Sequence, residues 1–124
     1  MEETKMVIVV RKDLNMRKGK LAAQAAHAAQ EAILDRSGPT PCLKQRPAIM
    51  AWLASDYRKI VVSVNSEDEL LELYGRAIEC DLNHHLVTDL GKTEFNGVRT
   101  YTALAIGPAD PTRIDAITGN LPLI

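Results

Sequence analysis

A chain of 124 residues, 46% hydrophobic and 25% charged, is long enough to bury one core without metal or disulfide staples and has the balance of an ordinary globular protein. No apolar run reaches the ~20 residues that span a bilayer, which excludes a helical membrane protein, and a net charge of -1 makes no general case for or against nucleic acid. The start, Met1-Glu2-Glu3-Thr4-Lys5, leads straight into strand-like residues rather than a secretory signal, and Cys42 and Cys80 are few and far apart, as expected of reduced thiols in the cytoplasm.

Met6-Val7-Ile8-Val9-Val10 is an unbroken apolar run and predicts a strand covered on both faces. A helix follows from Lys18 to about Arg36, its alanines leaving Leu21, Ala25, Ala28, Ala32 and Ile33 as an apolar stripe. Ser37-Gly38-Pro39-Thr40-Pro41 ends it. A second helix is expected over Ala48 to Ala54, with Trp52 and Leu53 inward, and Lys59 to Val64 is the second strand. Ser66-Glu67-Asp68-Glu69 fits a capping box that opens a helix through about Glu79, with Asn65 or Ser66 as the cap. Asn83 to Thr88 and Thr100 to Ile106 read as the third and fourth strands, the latter stopped by Gly107-Pro108. Asp110-Pro111 opens a last short helix that Thr118-Gly119 closes. The alternation predicts a single three-layer α/β domain: a small four-stranded mixed sheet with helices on both faces. Its edges are expected to be open, and a second copy is one way to cover them.

Charge is unevenly spread. Arg11, Lys12, Arg17, Lys18 and Lys20 crowd one segment, whereas 66–81 carries Glu67, Asp68, Glu69, Glu72, Glu79 and Asp81 against Arg76. One end of the molecule is therefore expected to face phosphates and the other to be acidic, unless both are merely solvated.

Several chemistries are missing from the sequence. There is no Gly-x-Ser-x-Gly elbow and no Gly-x-Gly-x-x-Gly. Lys18-Gly19-Lys20 is no phosphate loop, since Leu14 stands where the first glycine belongs and Leu21 where a magnesium-holding hydroxyl belongs. His84 and His85 are adjacent in a strand, so they point to opposite faces and cannot share one metal ion. What remains is a set of polar residues at element ends. Arg17-Lys18-Gly19-Lys20 opens a helix, where free N–H groups and the dipole favour an anion. Lys20, Gln24, His27 and Glu31 lie on one helix face; His27 by itself reads as a packed histidine. Asp89-Leu90-Gly91-Lys92-Thr93 leaves a strand end, where ligand sites of open sheets lie. Thr100 and Thr102 share a strand face.

Together these residues resemble the archaeal and eukaryotic type of peptidyl-tRNA hydrolase. Val9-Val10-Arg11-Lys12-Asp13-Leu14-Asn15-Met16-Arg17-Lys18-Gly19-Lys20-Leu21-Ala22-Ala23-Gln24-Ala25-Ala26-His27-Ala28 is similar to that family's opening motif. Asp89-Leu90-Gly91-Lys92-Thr93 resembles its central loop, Thr102 to Gly107-Pro108 its last strand, and Ile114-Asp115 with Ile117-Thr118-Gly119-Asn120-Leu121 its terminal signature. Ala25 stands where the family often has cysteine, Lys92 where it commonly has arginine, and 93–102 is about one residue longer than usual, which leaves Thr100 a rival to Thr102.

The resemblance implies a hydrolase of the ester that links a peptide to the terminal ribose of tRNA, without cofactor or metal. Lys20, Asp89, Thr93, Gln24 and Thr102 become the catalytic set: Lys20 as the cation, Asp89 to orient or deprotonate water, the others as hydrogen-bonding positioners. Arg17, Lys18 and Lys92 become contacts to tRNA phosphate. The partners expected are peptidyl-tRNA and a second copy of the chain, not a membrane, and the expected location is cytoplasmic. A non-hydrolytic module that binds acyl-tRNA or RNA on the same fold is the alternative. An adaptor acting through the acidic 66–81 helix is a third reading.

Overall fold

The computed structural model describes residues 3–91 and 95–124. Strand β1 (Lys5–Arg11) lies inside a four-stranded sheet, flanked by β4 (Lys59–Val64) and β6 (Thr100–Ala109), with β5 (His84–Asp89) beyond β6. The β1–β4 pair is parallel and the β1–β6 and β5–β6 pairs antiparallel, so the sheet is mixed, as expected. Helices α1 (Lys18–Ile33) and α2 (Pro47–Ala54) cover one face; α3 (Glu67–Glu79) and α4 (Pro111–Thr118) cover the other.

The period-2 alternation of β1 divides its side chains between two cores. Val7 and Val9 join Leu70, Leu73, Ile114 and Ile117 under α3 and α4, while Met6, Ile8 and Val10 join Trp52 and the alanines of α1. Strand β6 alternates in size as well. Leu104 and Ile106 face α3 and α4, whereas Ala103 and Ala105 face Ala28, Ala29 and Ala32. Small residues on both sides let α1 lie close to the sheet, and this sets where its polar face meets β5 and β6.

Four expectations are corrected. Helix α1 stops at Ile33, not Arg36: Leu34 turns extended and Leu34–Asp35 (β2) pairs with Cys42–Leu43 (β3) in a small hairpin. There Arg36 grips Glu31 through Nε and a terminal nitrogen, and Asp35 Oδ1 accepts from Ser37 N at 2.8 Å, local bonds that outcompete another helical turn. Leu53 does not turn inward beside Trp52 but is 36% exposed. Strand β6 runs past Gly107-Pro108 to Ala109, because a register shift opposite Lys5 and Val7 absorbs the pair and Gly107 takes a φ of +106°. Finally, the basic segment and the acidic helix are not at opposite ends. Parallel β1 and β4 start α1 and α3 at the same end of the sheet, on opposite faces, with Arg11 only 3.9 Å from Glu67.

The two sheet edges differ. Along β4 the chain's own tail is laid down: Ser63 N donates to Pro122 O at 3.0 Å and Ile124 N to Val61 O at 3.3 Å. The outer side of β5 has no such strand among the described residues. Asn83, just before β5, is a buried tie, its amide donating to Ala32 O at 2.7 Å and Gly107 O at 2.9 Å while Lys44 Nζ donates to its carbonyl.

Close packing of α1 makes a testable demand. Ala28→Leu, at a fully buried position, should lower stability in urea unfolding by about 1–3 kcal/mol through overpacking. Ala22→Leu on the exposed side of the same helix should change it by less than about 0.5 kcal/mol.

Candidate active site

Helix α1 begins without the devices that open α3 and α4. Ser66 Oγ accepts from Glu69 N at 3.1 Å and Asp110 Oδ1 from Thr112 N at 3.2 Å. At α1 the N-cap is Arg17, whose side chain makes no cap bond, and the first turn holds no acid. Arg17 and Lys18 are exposed at this helix end, whose dipole suits an anion.

Lys20, Gln24, Asp89 and Thr102 converge just inside that end. Lys20 Nζ donates to Asp89 Oδ2, the two side chains only 15% and 10% exposed. Gln24 Nε2 reaches the same oxygen at 3.5 Å, and Gln24 Oε1 accepts from Thr102 Oγ1 at 2.6 Å. The order is chemically required: the amide must turn its N–H groups to the carboxylate, so its carbonyl is left for the hydroxyl. Thr102 is fully buried, so whatever it contributes passes through Gln24; Thr100 instead bonds Val98 O at 2.9 Å. Of the two threonines, Thr102 joins the cluster.

Asp89 Oδ1 accepts from Gly91 N at 2.6 Å, which ties the carboxylate to its own loop. Gly91 has φ +78°, and a Cβ there would lie 2.6 Å from Val98 N and 2.7 Å from Gly97 C, so only glycine fits. The loop returns through Phe95, whose ring centroid is 5.8 Å from Lys20 Nζ, a cation–π contact that sequence reading missed because nothing local marks it. Lys92 and Thr93 lie outside the described residues.

The hydrogen bond from Lys20 holds the Asp89 carboxyl below its ordinary value, with help from Gly91 N–H and from the charges of Lys20 and His27, against the opposing effect of burial. Asp89 is therefore an ionised acceptor. Beside the pair opens a cavity of 390 Å³ lined by Lys20, Gln24, His27, Val87, Asp89 and Leu90. His27 is exposed on its wall and not packed as expected. A larger groove of 570 Å³ between α1, α2 and β4 is almost wholly apolar and carries no carboxylate, so the polar cluster opens onto the smaller cavity alone of these two.

His84 and His85 do face opposite ways. His84 meets the Tyr74 ring of α3 edge-on and donates through Nδ1 to Leu82 O, while His85 turns to the side of Glu31 and is shifted down by burial. Among the described residues no three His, Cys, Asp or Glu side chains gather to hold a metal ion. Both cysteines are free and exposed, and no helix of the described residues is long and apolar enough to cross a membrane.

Residues 4–124 match the family model described as peptidyl-tRNA hydrolase PTH2. The chain belongs to this family. It is 46% identical to a protein named peptidyl-tRNA hydrolase from Sulfurisphaera tokodaii, over 98% of each chain. A protein of the same name from Methanocaldococcus jannaschii is 43% identical, over 97% of this chain and 99% of its own. The hydrolase family match thus includes every described residue of the polar cluster.

Because the folded pKa of Asp89 lies below its ordinary value of 3.8, its pairing stabilises the fold above that value and is lost as pH falls through the lowered one. Lys20→Ala should raise the Asp89 midpoint in a carboxyl-carbon NMR titration, since burial remains and the main opposing bond is gone. An unchanged midpoint would contradict the assignment of Lys20 as the cause.

Proposed function

We propose that this chain hydrolyses the ester joining the carboxyl end of a peptide, or of an N-acylated amino acid, to the 3′-terminal ribose of tRNA. The observation that carries the proposal is the Lys20–Asp89 pair facing an open cavity, within a chain that matches its family from residue 4 to residue 124. Arg17 and Lys18, beside the uncapped helix end, are assigned to tRNA phosphates, and Lys92 and Thr93 join them and the catalytic set on the family resemblance. A water attacks the ester carbonyl, the oxyanion forms beside the Lys20 ammonium, and as it collapses the C–O bond to ribose breaks, with the proton lost by the water ending on the ribose oxygen. Asp89 is held too acidic to be a strong base, so its part is chiefly to orient the water. Gln24 keeps Asp89 in place, and Thr102 keeps Gln24 in place. The positive charge the reaction needs comes from a side chain, so no metal enters the proposal.

The proposal extends to assembly and location. The apolar groove of Ala25, Ala29, Ile33, Trp52, Tyr57 and Val61, with Leu53 beside it, suits a second copy of the chain. With the tail along the β4 edge, a helix face is the better candidate for the homodimer than that edge. Free exposed thiols accord with a cytoplasmic protein.

Ester loss from an N-acylated aminoacyl-tRNA, with EDTA present and well above the rate for the unblocked ester, is the expected result; binding without turnover would favour the RNA-binding module instead. Lys20 is largely buried against Asp89, so Lys20→Ala should lower single-turnover cleavage by about 100-fold, as for loss of one preorganised donor, more than it alters the salt dependence of binding. Asp89→Asn should cleave far more slowly while tRNA binding holds or tightens, since an anion next to a polyanion has been removed. Sedimentation at micromolar concentration should give twice 13.6 kDa for the native chain, and Leu53→Glu should shift it to the monomer.

A further inference from the structure

We infer that the outer edge of β5 is the docking site for the peptide part of the substrate, which pairs with it as an added strand. This rests on the hydrolase reading and goes beyond it by saying where the peptide lies and how it is recognised.

The position of the ester divides the space around it. Lys20 is in the first turn of α1 and Asp89 is the last residue of β5. Beyond that end lie exposed Lys12, Arg17 and Lys18 and the uncapped N–H groups of α1, which suit phosphates. A substrate with its polyanionic half there must send its peptide the other way. That way leads into the 390 Å³ cavity, which follows Lys20, Gln24 and His27 along α1 for roughly 10 Å and Val87 and Thr88 back along β5. Its wall mixes apolar and polar groups, and the one carboxylate in its lining is Asp89. Charge therefore sorts the two halves of the substrate.

The edge itself supplies recognition. β5 ends the strand order β4-β1-β6-β5, and the described chain lays nothing along its outer side, whereas the β4 edge is taken by residues 122–124. Alternate residues of an edge strand turn both N–H and C=O outward. Six residues of strand offer roughly 20 Å of such groups at about 3.3 Å per residue. Nor does His84-His85-Leu86-Val87-Thr88-Asp89 carry the lysine or proline that commonly blocks an edge. Main-chain pairing is indifferent to side chains, so an edge of this kind would hold the peptide by its backbone.

The test uses the native protein and a series of N-acetylated substrates with the same esterified residue and one to six residues of peptide. KM should fall by about tenfold between one and four residues, the effect of two or so net backbone hydrogen bonds, then level off, with kcat unchanged. N-methylation of alternate amides nearest the ester should return KM to the one-residue value, and methylation of the intervening amides should not. A KM independent of length, or one equally sensitive to methylation at every amide, would overturn the inference while leaving the hydrolase reading intact. No cleavage of even the one-residue substrate would remove that reading and this inference with it.

Discussion

The site depends on how closely α1 approaches the sheet. Ala28, Ala29 and Ala32 of the helix share a buried cluster with Ala103 and Ala105 of β6, small residues on both sides. Brought this near, the polar face of α1 has nowhere to go but onto the ends of β5 and β6. Gln24 is then buried against Thr102, and Lys20 against Asp89. A buried amide and a mostly buried ion pair would each be costly alone, and each is supplied with the partner that offsets the cost.

That pairing sets the chemistry as well. A lysine bonded to the carboxylate keeps Asp89 ionised and holds its direction, at the expense of its strength as a base. In the proposed reaction the ester of a ribose hydroxyl is already activated, so it asks only for a directed water and a nearby cation. The carboxylate is tied from a second side by the Gly91 N–H, in a turn that admits only glycine. Rigid placement, more than basicity, is what this geometry supplies.

The same frame places charge across the molecule. Parallel β1 and β4 bring α1 and α3 to one end of the sheet on opposite faces, so the basic start of α1 and the acidic start of α3 share that end, and Arg11 and Glu67 approach to 3.9 Å across it. The hairpin of β2 and β3 lies beyond the C-terminal end of α1, roughly 20 Å along the helix from Lys20. Its prolines therefore lie at the far end of α1 from the cavity beside Lys20 and Asp89.

Much of this was legible in the sequence. The β-branched run of β1, the capping box at Ser66 and the alanines of α1 are local signals, each read by its own neighbours, and the layers followed from their alternation. Lys20, Gln24 and Asp89 stood out because their spacing and their place at element ends matched a family pattern. Other features have no local signal. Leu34–Asp35 left the helix because a strand eight residues later pairs with it, and β6 passed Gly107-Pro108 because β1 accommodates a register shift. Thr102 was separated from Thr100 only by which of them meets Gln24, and Phe95 entered the site only through a loop closed at Gly91. Residue types and periodicity determined the elements and the candidate chemistry. The tertiary structure decided the partners, because hydrogen bonds and packing join positions far apart in the chain that no window of sequence contains.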